Sequence, residues 1–262
     1  MNLIDGQFEK IKKEKRMGLM MHVVVGYPSL DATEEVVRVM AENGADFIEL
    51  QIPFSDPLAD GPTIMKASEE ALRGGIKVKD SFALTRKLSS QVKIPLLFMG
   101  YFNTVFKYGT GRFCKDARDA GASGLIVPDI PLEEEKEEGF IKSARKNNLY
   151  AIRVVSPAST NERLEKNAAV AEGFVYCMAR QGITGVKSDL DPELVNYLKR
   201  VRRVFDVSVA VGFGISKKEH VQAIKGYADM AVVGSAVIDI ICKSKRDEIG
   251  RKVRDFIKSL LA

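Results

Sequence analysis

The stretch DATEEVVRVMAENGADFIELQI, Asp31 to Ile52, reads as one helix, turn and strand. Its first part spaces apolar residues among charges with a helical period. Asp31 or Thr33 stands where an N-cap belongs, and Gly44 where the helix closes. The second part, DFIELQI at 46–52, has the length of a buried strand. Ile48, Leu50 and Ile52 alternate there with Phe47, Glu49 and Gln51. One carboxylate, Glu49, thus lies in a run that otherwise reads as core.

The same alternation runs the length of the chain. Apolar runs rich in β-branched residues occur at 19–26 (LMMHVVVG), 46–52, 94–100 (IPLLFMG) and 124–130 (GLIVPDI). They recur at 149–155 (LYAIRVV), 173–179 (GFVYCMA), 207–213 (VSVAVGF) and 229–235 (DMAVVGS). Charged stretches of helical period separate them, DPELVNYLKRVRRVF among them. Ser216 with Glu219 forms a capping-box pattern ahead of another. Eight strand–helix units with no low-complexity linker predict an α/β fold, a (β/α)8 TIM barrel spanning 1–262 as one domain. The opening MNLIDGQFEKIKKEKRMG predicts an extra amphipathic N-terminal helix. A doubly wound open sheet is the competing fold. It needs a glycine-rich turn after the first strand, and VVGYPS does not match that fingerprint.

Composition narrows the function. The chain has 262 residues, 45% of them hydrophobic and 29% charged, enough to bury a sizeable core. No apolar run reaches membrane-spanning length, and the N-terminus lacks a signal-peptide core. Cys114, Cys177 and Cys242 are far apart and only two histidines are present, which argues against a metal site. The cysteines read as small apolar fillers of a cytoplasmic protein. The net charge is +5, but the basic clusters are interleaved with acids and lack an aromatic platform. They read as solvated helix faces rather than a nucleic-acid surface. A modest positive field suits a small anionic substrate.

In a barrel, the branched aliphatic face of DFIELQI packs under the helices and the Phe47–Glu49–Gln51 face points inward. Glu49 then lies near the C-terminal strand end, where such barrels carry their chemistry. Apolar surroundings should raise its pKa towards the range useful for proton transfer. Asp60 follows in the turn-rich PFSDPLADGP. It reads either as a second carboxylate in the same pocket or, with Thr63, as a cap for the next helix. Gly212 and Gly214 in VGFGIS, with Gly234 and Ser235 in VVGSAVI, fit a phosphate held by the loops after strands 7 and 8. The polar ARQGITGVKSDLD after strand 6 reads as a lid or a plain surface loop.

IELQIPFSDPLADGPTI, YFNTVFKYG, PDIPLEE, YCMARQGITG, VGFGIS and VVGSAVI together resemble the tryptophan synthase alpha subunit family, in its order and spacing. The resemblance covers nearly the whole chain, and PFSDPxADGP is its most specific part. It implies cofactor-free retro-aldol cleavage of indole-3-glycerol phosphate to indole and glyceraldehyde 3-phosphate. Glu49 and Asp60 match the catalytic acids, Tyr176 the tyrosine beside them, and Thr184 the lid threonine. Gly185, Gly212, Gly234 and Ser235 match the phosphate site, and Tyr101 and Phe213 the rest of the substrate pocket. The resemblance also implies an alpha2–beta2 complex with a beta subunit that carries pyridoxal phosphate. Pro53, Phe54 and Asp56 match the docking region.

The implied chemistry needs two carboxylates in different settings. An apolar Glu49 exchanges a proton with indole C3 and with the glycerol hydroxyl. A more polar, ionised Asp60 stabilises charge at the indole nitrogen. The sequence departs from the family pattern at Gln51 (usually Gly), His22 (commonly apolar) and Ala179 (usually Ser). The Gln51 amide either enters the pocket, tuning Glu49 or crowding the ligand, or bonds a neighbour, and His22 reads as a satisfied core residue or as one that reaches the pocket rim. Two alternatives stand: an alpha-like subunit that activates a beta partner while cleaving weakly, and another phosphate-binding barrel.

Overall fold

The computed structural model describes residues 2–179, 190–212 and 214–261. Its strands are β1 (Gly18–Val24), β2 (Phe47–Gln51), β3 (Leu96–Met99), β4 (Gly124–Ile126), β5 (Tyr150–Val155), β6 (Phe174–Met178), β7 (Ser208–Gly212) and β8 (Met230–Val233). Each pairs in parallel with the next, and β1 pairs with β8 to close a barrel. Seven fall inside the runs expected from the sequence, and β1 starts one residue ahead of its run, at Gly18.

The strand alternation sorts the core into two compartments. Inside lie Met20, Phe47, Leu97, Met99, Ile126, Ile152, Phe174, Ala210, Met230 and Val232. Between barrel and helices lie Met21, Val23, Ile48, Leu50, Val175 and Val209. The inner cluster also contains Ile4, Phe8 and Ile11 of the N-terminal helix Leu3–Lys13. Phe8 packs 4.9 Å from Phe47 and 5.9 Å from Phe174, centroid to centroid. Those two rings open β2 and β6, so the helix plugs the N-terminal end of the barrel. Gly18 permits the close approach, because a Cβ there would stand 2.8 Å from Ile11 Cδ1. Asn2 and Asp5 form the reciprocal capping box that starts the plug helix. Burial of the plug leaves the C-terminal end as the open one.

Several caps differ from the expected ones. Ser29, not Asp31 or Thr33, caps helix Leu30–Glu42 by accepting from the Ala32 N–H. Helix Pro62–Arg73 starts at Gly61 with proline at its first position and no side-chain cap. Neither Asp60 nor Thr63 caps it, and the Thr63 hydroxyl donates instead to Asp239 at 3.2 Å. The box predicted from Ser216 and Glu219 does not form, because helix Lys218–Ala223 is preceded by Lys217 with no side-chain cap. Cys114 and Cys177 are buried fillers as expected, but Cys242 is exposed.

Candidate active site

At the C-terminal end of the barrel lies a cavity of about 180 Å³. Glu49, Asp60 and Tyr176 line it, with Gly212, Gly214, Gly234 and Ser235 from the ends of β7 and β8. A larger cavity of about 590 Å³, lined by Arg16, Asp46 and Leu261 among others, sits at the plugged end. Of the two acids lining it, Glu42 and Asp46, the second is already engaged: both Asp46 oxygens accept from Arg16 at 2.6 and 2.7 Å.

Glu49 is 2% exposed. Register places it directly opposite His22 on β1, and parallel partners in register present their side chains on the same side of the sheet. His22 Nδ1 lies 2.9 Å from Glu49 Oε2. Glu49 is therefore not in purely apolar surroundings, which corrects the sequence reading. Nor is His22 a satisfied core residue: its Nε2 is buried without a hydrogen-bond partner among the described residues. Burial alone would drive the imidazole pKa down. The charge and hydrogen bond of Glu49, with the charge of Asp60, outweigh it and hold His22 above the usual histidine value.

Asp60 also departs from expectation. Burial raises its carboxyl above the usual aspartate range, although Asp60 is only half-buried where Glu49 is buried. Three groups oppose that rise: His22, the Gln51 amide and the Tyr101 hydroxyl. Gln51 Nε2 donates to Asp60 Oδ2 at 2.6 Å, so Gln51 reaches Asp60 rather than Glu49. Tyr101 Oη accepts from the Ala59 N–H at 3.0 Å and its ring stacks on Phe54 at 5.2 Å. Tyr101 thus supports the Asp60 loop from beneath while its own ring is 1% exposed. Tyr176 is held well above the ordinary phenol value by burial and by the two carboxylates, so it stays a neutral phenol. Gly212 makes room for it: a Cβ there would stand 3.1 Å from the Tyr176 hydroxyl.

The helix Ser235–Cys242 begins at the cavity with Gly234 just ahead of it. Its N-terminus and the flanking glycines suit an anion. Among the described residues, no group of three His, Cys, Asp or Glu side chains could hold a metal ion. Thr184, Gly185 and Phe213 lie outside the described residues, as does most of the expected lid. Of the expected docking positions, Pro53 is buried, Phe54 half-buried and Asp56 exposed. Leu58, in the same loop, is 86% exposed. The sequence reading missed the contact of His22 with Glu49, and it had Gln51 bonding a neighbour without naming Asp60. The signal for the first was present, since aligning the two inward faces of 19–26 and 46–52 brings His22 beside Glu49.

A family model described as tryptophan synthase alpha chain matches residues 8–259. The tryptophan synthase alpha chain of Desulfotalea psychrophila is 48% identical over 250 residues, covering 95% of this chain and 96% of that one. A structure of Mycobacterium tuberculosis tryptophan synthase is similar with a TM-score of 0.88 at 32% identity, covering 98% and 96% of the two chains. A mutant tryptophan synthase alpha-subunit from Pyrococcus furiosus gives a TM-score of 0.85 at 31% identity, covering 93% and 97%. No helix among the described residues is long and apolar enough to cross a membrane.

Proposed function

The chain belongs to the tryptophan synthase alpha chain family, and we propose that it cleaves indole-3-glycerol phosphate to indole and glyceraldehyde 3-phosphate. It does so as a single barrel domain in the cytoplasm. The carrying observation is that Glu49 and Asp60 converge on one cavity that ends at Gly234 and Ser235. A lyase for this substrate needs two carboxylates at the indole end and an anion site at the other. As an alpha chain the protein takes no cofactor of its own and works with a beta subunit, which carries the pyridoxal phosphate.

In the proposed reaction Glu49 protonates indole C3 and removes the proton of the glycerol hydroxyl as the C–C bond breaks. Positive charge then develops on the indole ring, and the Asp60 carboxylate stabilises it at the ring N–H. The Gln51 amide and Tyr101 hydroxyl keep Asp60 ionised despite its burial. Tyr176, a neutral donor, borders the same reacting atoms. Gly212, Gly214, Gly234 and Ser235 hold the phosphate at the helix N-terminus, and we assign Gly185 to the same group. Thr184 serves the lid and Phe213 borders the substrate, while Tyr101 acts from behind the cavity by holding the Asp60 loop. Pro53, Phe54 and Asp56 belong to the face that meets the beta subunit, where the exposed Leu58 offers apolar surface.

Indole release by the purified chain, alone and with a beta subunit, tests the reading. Glu49→Gln is expected to abolish it, and undiminished release would overturn the proposal. A second reading, a partner-activating subunit that cleaves weakly, is favoured by one observation: Gln51 occupies an Asp60 oxygen. Activation of the partner with no indole released from the phosphate substrate would select it.

A further inference from the structure

We propose that His22 and Glu49 share one proton as a pair, and that His22 is the positioning residue that sets when Glu49 carries it. The proposal rests on the reading of Glu49 as the acid and base of the cleavage.

Four observations carry it. The β1–β2 register sets the two side chains opposite each other. Their nitrogen and oxygen are 2.9 Å apart. Both are buried, at 4% and 2% exposure, so the pair is little screened by water. Nε2 has no partner among the described residues, so no second hydrogen bond fixes the ring's tautomer. Where the ring proton resides is then decided between Nδ1 and Glu49. A histidine held only for packing would be expected to satisfy both nitrogens.

The groups facing His22 define its charge. Glu49 comes from β2 and Asp60 from the loop that follows, and both favour the imidazolium. Tyr176 of β6 lines the same cavity as a neutral phenol. The end of β8 and its helix supply Gly234 and Ser235, and helix Pro62–Arg73 supplies Ile64. None of these last three brings a charge. The resting pair is an imidazolium beside a carboxylate, holding one proton between them.

The proton balance closes over one turnover. The proton moves from Nδ1 to the carboxylate, leaving a neutral imidazole and a carboxylic acid. Glu49 passes that proton to indole C3. The carboxylate then takes the hydroxyl proton as the C–C bond breaks, its electron pair returns to the indole ring and the aldehyde forms. The recovered proton restores the resting pair. The pair is therefore one-proton machinery, and it retains that proton to higher pH than Glu49 alone, because His22 gives the proton a second place to reside.

Two measurements test it. The chain contains only His22 and His220, so 15N-histidine labelling gives an assignable pair of rings. His22 is expected to titrate above an ordinary histidine, and Glu49→Gln is expected to lower its midpoint. The pH profile of kcat is the second readout. His22→Gln keeps a side-chain donor for Glu49 but carries no proton. Its basic limb is expected at lower pH, so that kcat beyond the limb falls about tenfold while KM changes little. His22→Phe should show the same shift. A His22 midpoint indifferent to Glu49→Gln, or unmoved basic limbs in both His22 variants, overturns the pair. If the limbs stay put while Glu49→Gln is inactive, the pair fails and the role of Glu49 stands. If Glu49→Gln remains active, the role of Glu49 fails first, and the catalytic part of the pair with it.

Discussion

At the residue scale, the site is a set of compromises around two buried acids. Asp60 is pulled towards protonation by burial and towards ionisation by His22, Gln51 and Tyr101. Removing its charge while keeping its shape isolates that balance. Asp60→Asn should lower kcat by about 10²–10³, the usual loss when one preorganised electrostatic stabiliser goes. Phosphate binding, which the proposed reading assigns to Ser235, should weaken far less. Equal loss in both, read from kcat and from a product-phosphate competition assay, would remove Asp60 from the indole end. Ser235→Ala should act the other way. It deletes one anion contact worth about 1–2 kcal/mol, so KM should rise about tenfold with kcat nearly kept. An unchanged KM would place the phosphate elsewhere. The sequence made the identities of these residues legible but not their surroundings. Glu49 reads as isolated because its own strand is apolar, yet its neighbour comes from a strand 27 positions away, by hydrogen bond to His22. Asp60 reads as polar because its loop is rich in turn residues, yet the loop folds back onto Gln51 and Tyr101.

At the scale of elements, the strands and the closing Gly44 of helix Leu30–Glu42 were legible and the N-caps were not. Each strand carries its own signal, since a run of apolar residues of strand length survives whatever surrounds it. A cap depends on a single backbone turn, where neighbours one to three residues apart compete. Ser29 wins over Asp31 and Thr33 because its extended backbone aims the hydroxyl at the Ala32 N–H, while the Thr33 hydroxyl donates back to the Ser29 carbonyl. The β6–β7 pair shows how elements set the site. Tyr176 and Ala210 are register partners, and two residues on, Gly212 leaves the space that the Tyr176 ring fills. A methyl group at Gly212 would sit 3.1 Å from the hydroxyl and 3.2 Å from Cε2, tighter than comfortable contact. Gly212→Ala should therefore tilt Tyr176 into the cavity, costing about 1–3 kcal/mol of stability as overpacking does, with substrate affinity falling alongside. Loss of stability with an unchanged KM would show that Tyr176 yields away from the substrate.

At the scale of the whole molecule, the barrel separates its stabilising end from its reactive end. The plug helix buries Ile4, Phe8 and Ile11 at the N-terminal end of the barrel, whereas Glu49, midway along β2, and Asp60, in the loop after it, line the cavity at the other end. Phe8 is 4% exposed and packs on two aromatic rings, so Phe8→Ala should destabilise by about 3–5 kcal/mol through the cavity it leaves. No described contact links it to Glu49 or Asp60, and kcat of the folded fraction should hold. Asp60→Asn should do the reverse. Its pKa in the fold lies above the value of 3.8 it has in an unstructured chain. The fold thus binds that proton more tightly than the unfolded chain does, so Asp60's contribution is greatest below 3.8 and is lost as pH rises through the folded value. At neutral pH an ionised, half-buried Asp60 is a net strain on the fold, and the neutral Asn should stabilise it while lowering kcat. Because the two sites share no partner, the double variant should show unfolding free energies that add to within about 0.5 kcal/mol. Denaturant midpoints of the four proteins at pH 7, with kcat measured on each, decide the matter. Strong non-additivity, or a Phe8→Ala protein that folds but no longer turns over, would mean that the plug reaches the acids through the barrel interior and that the two ends are one cooperative unit.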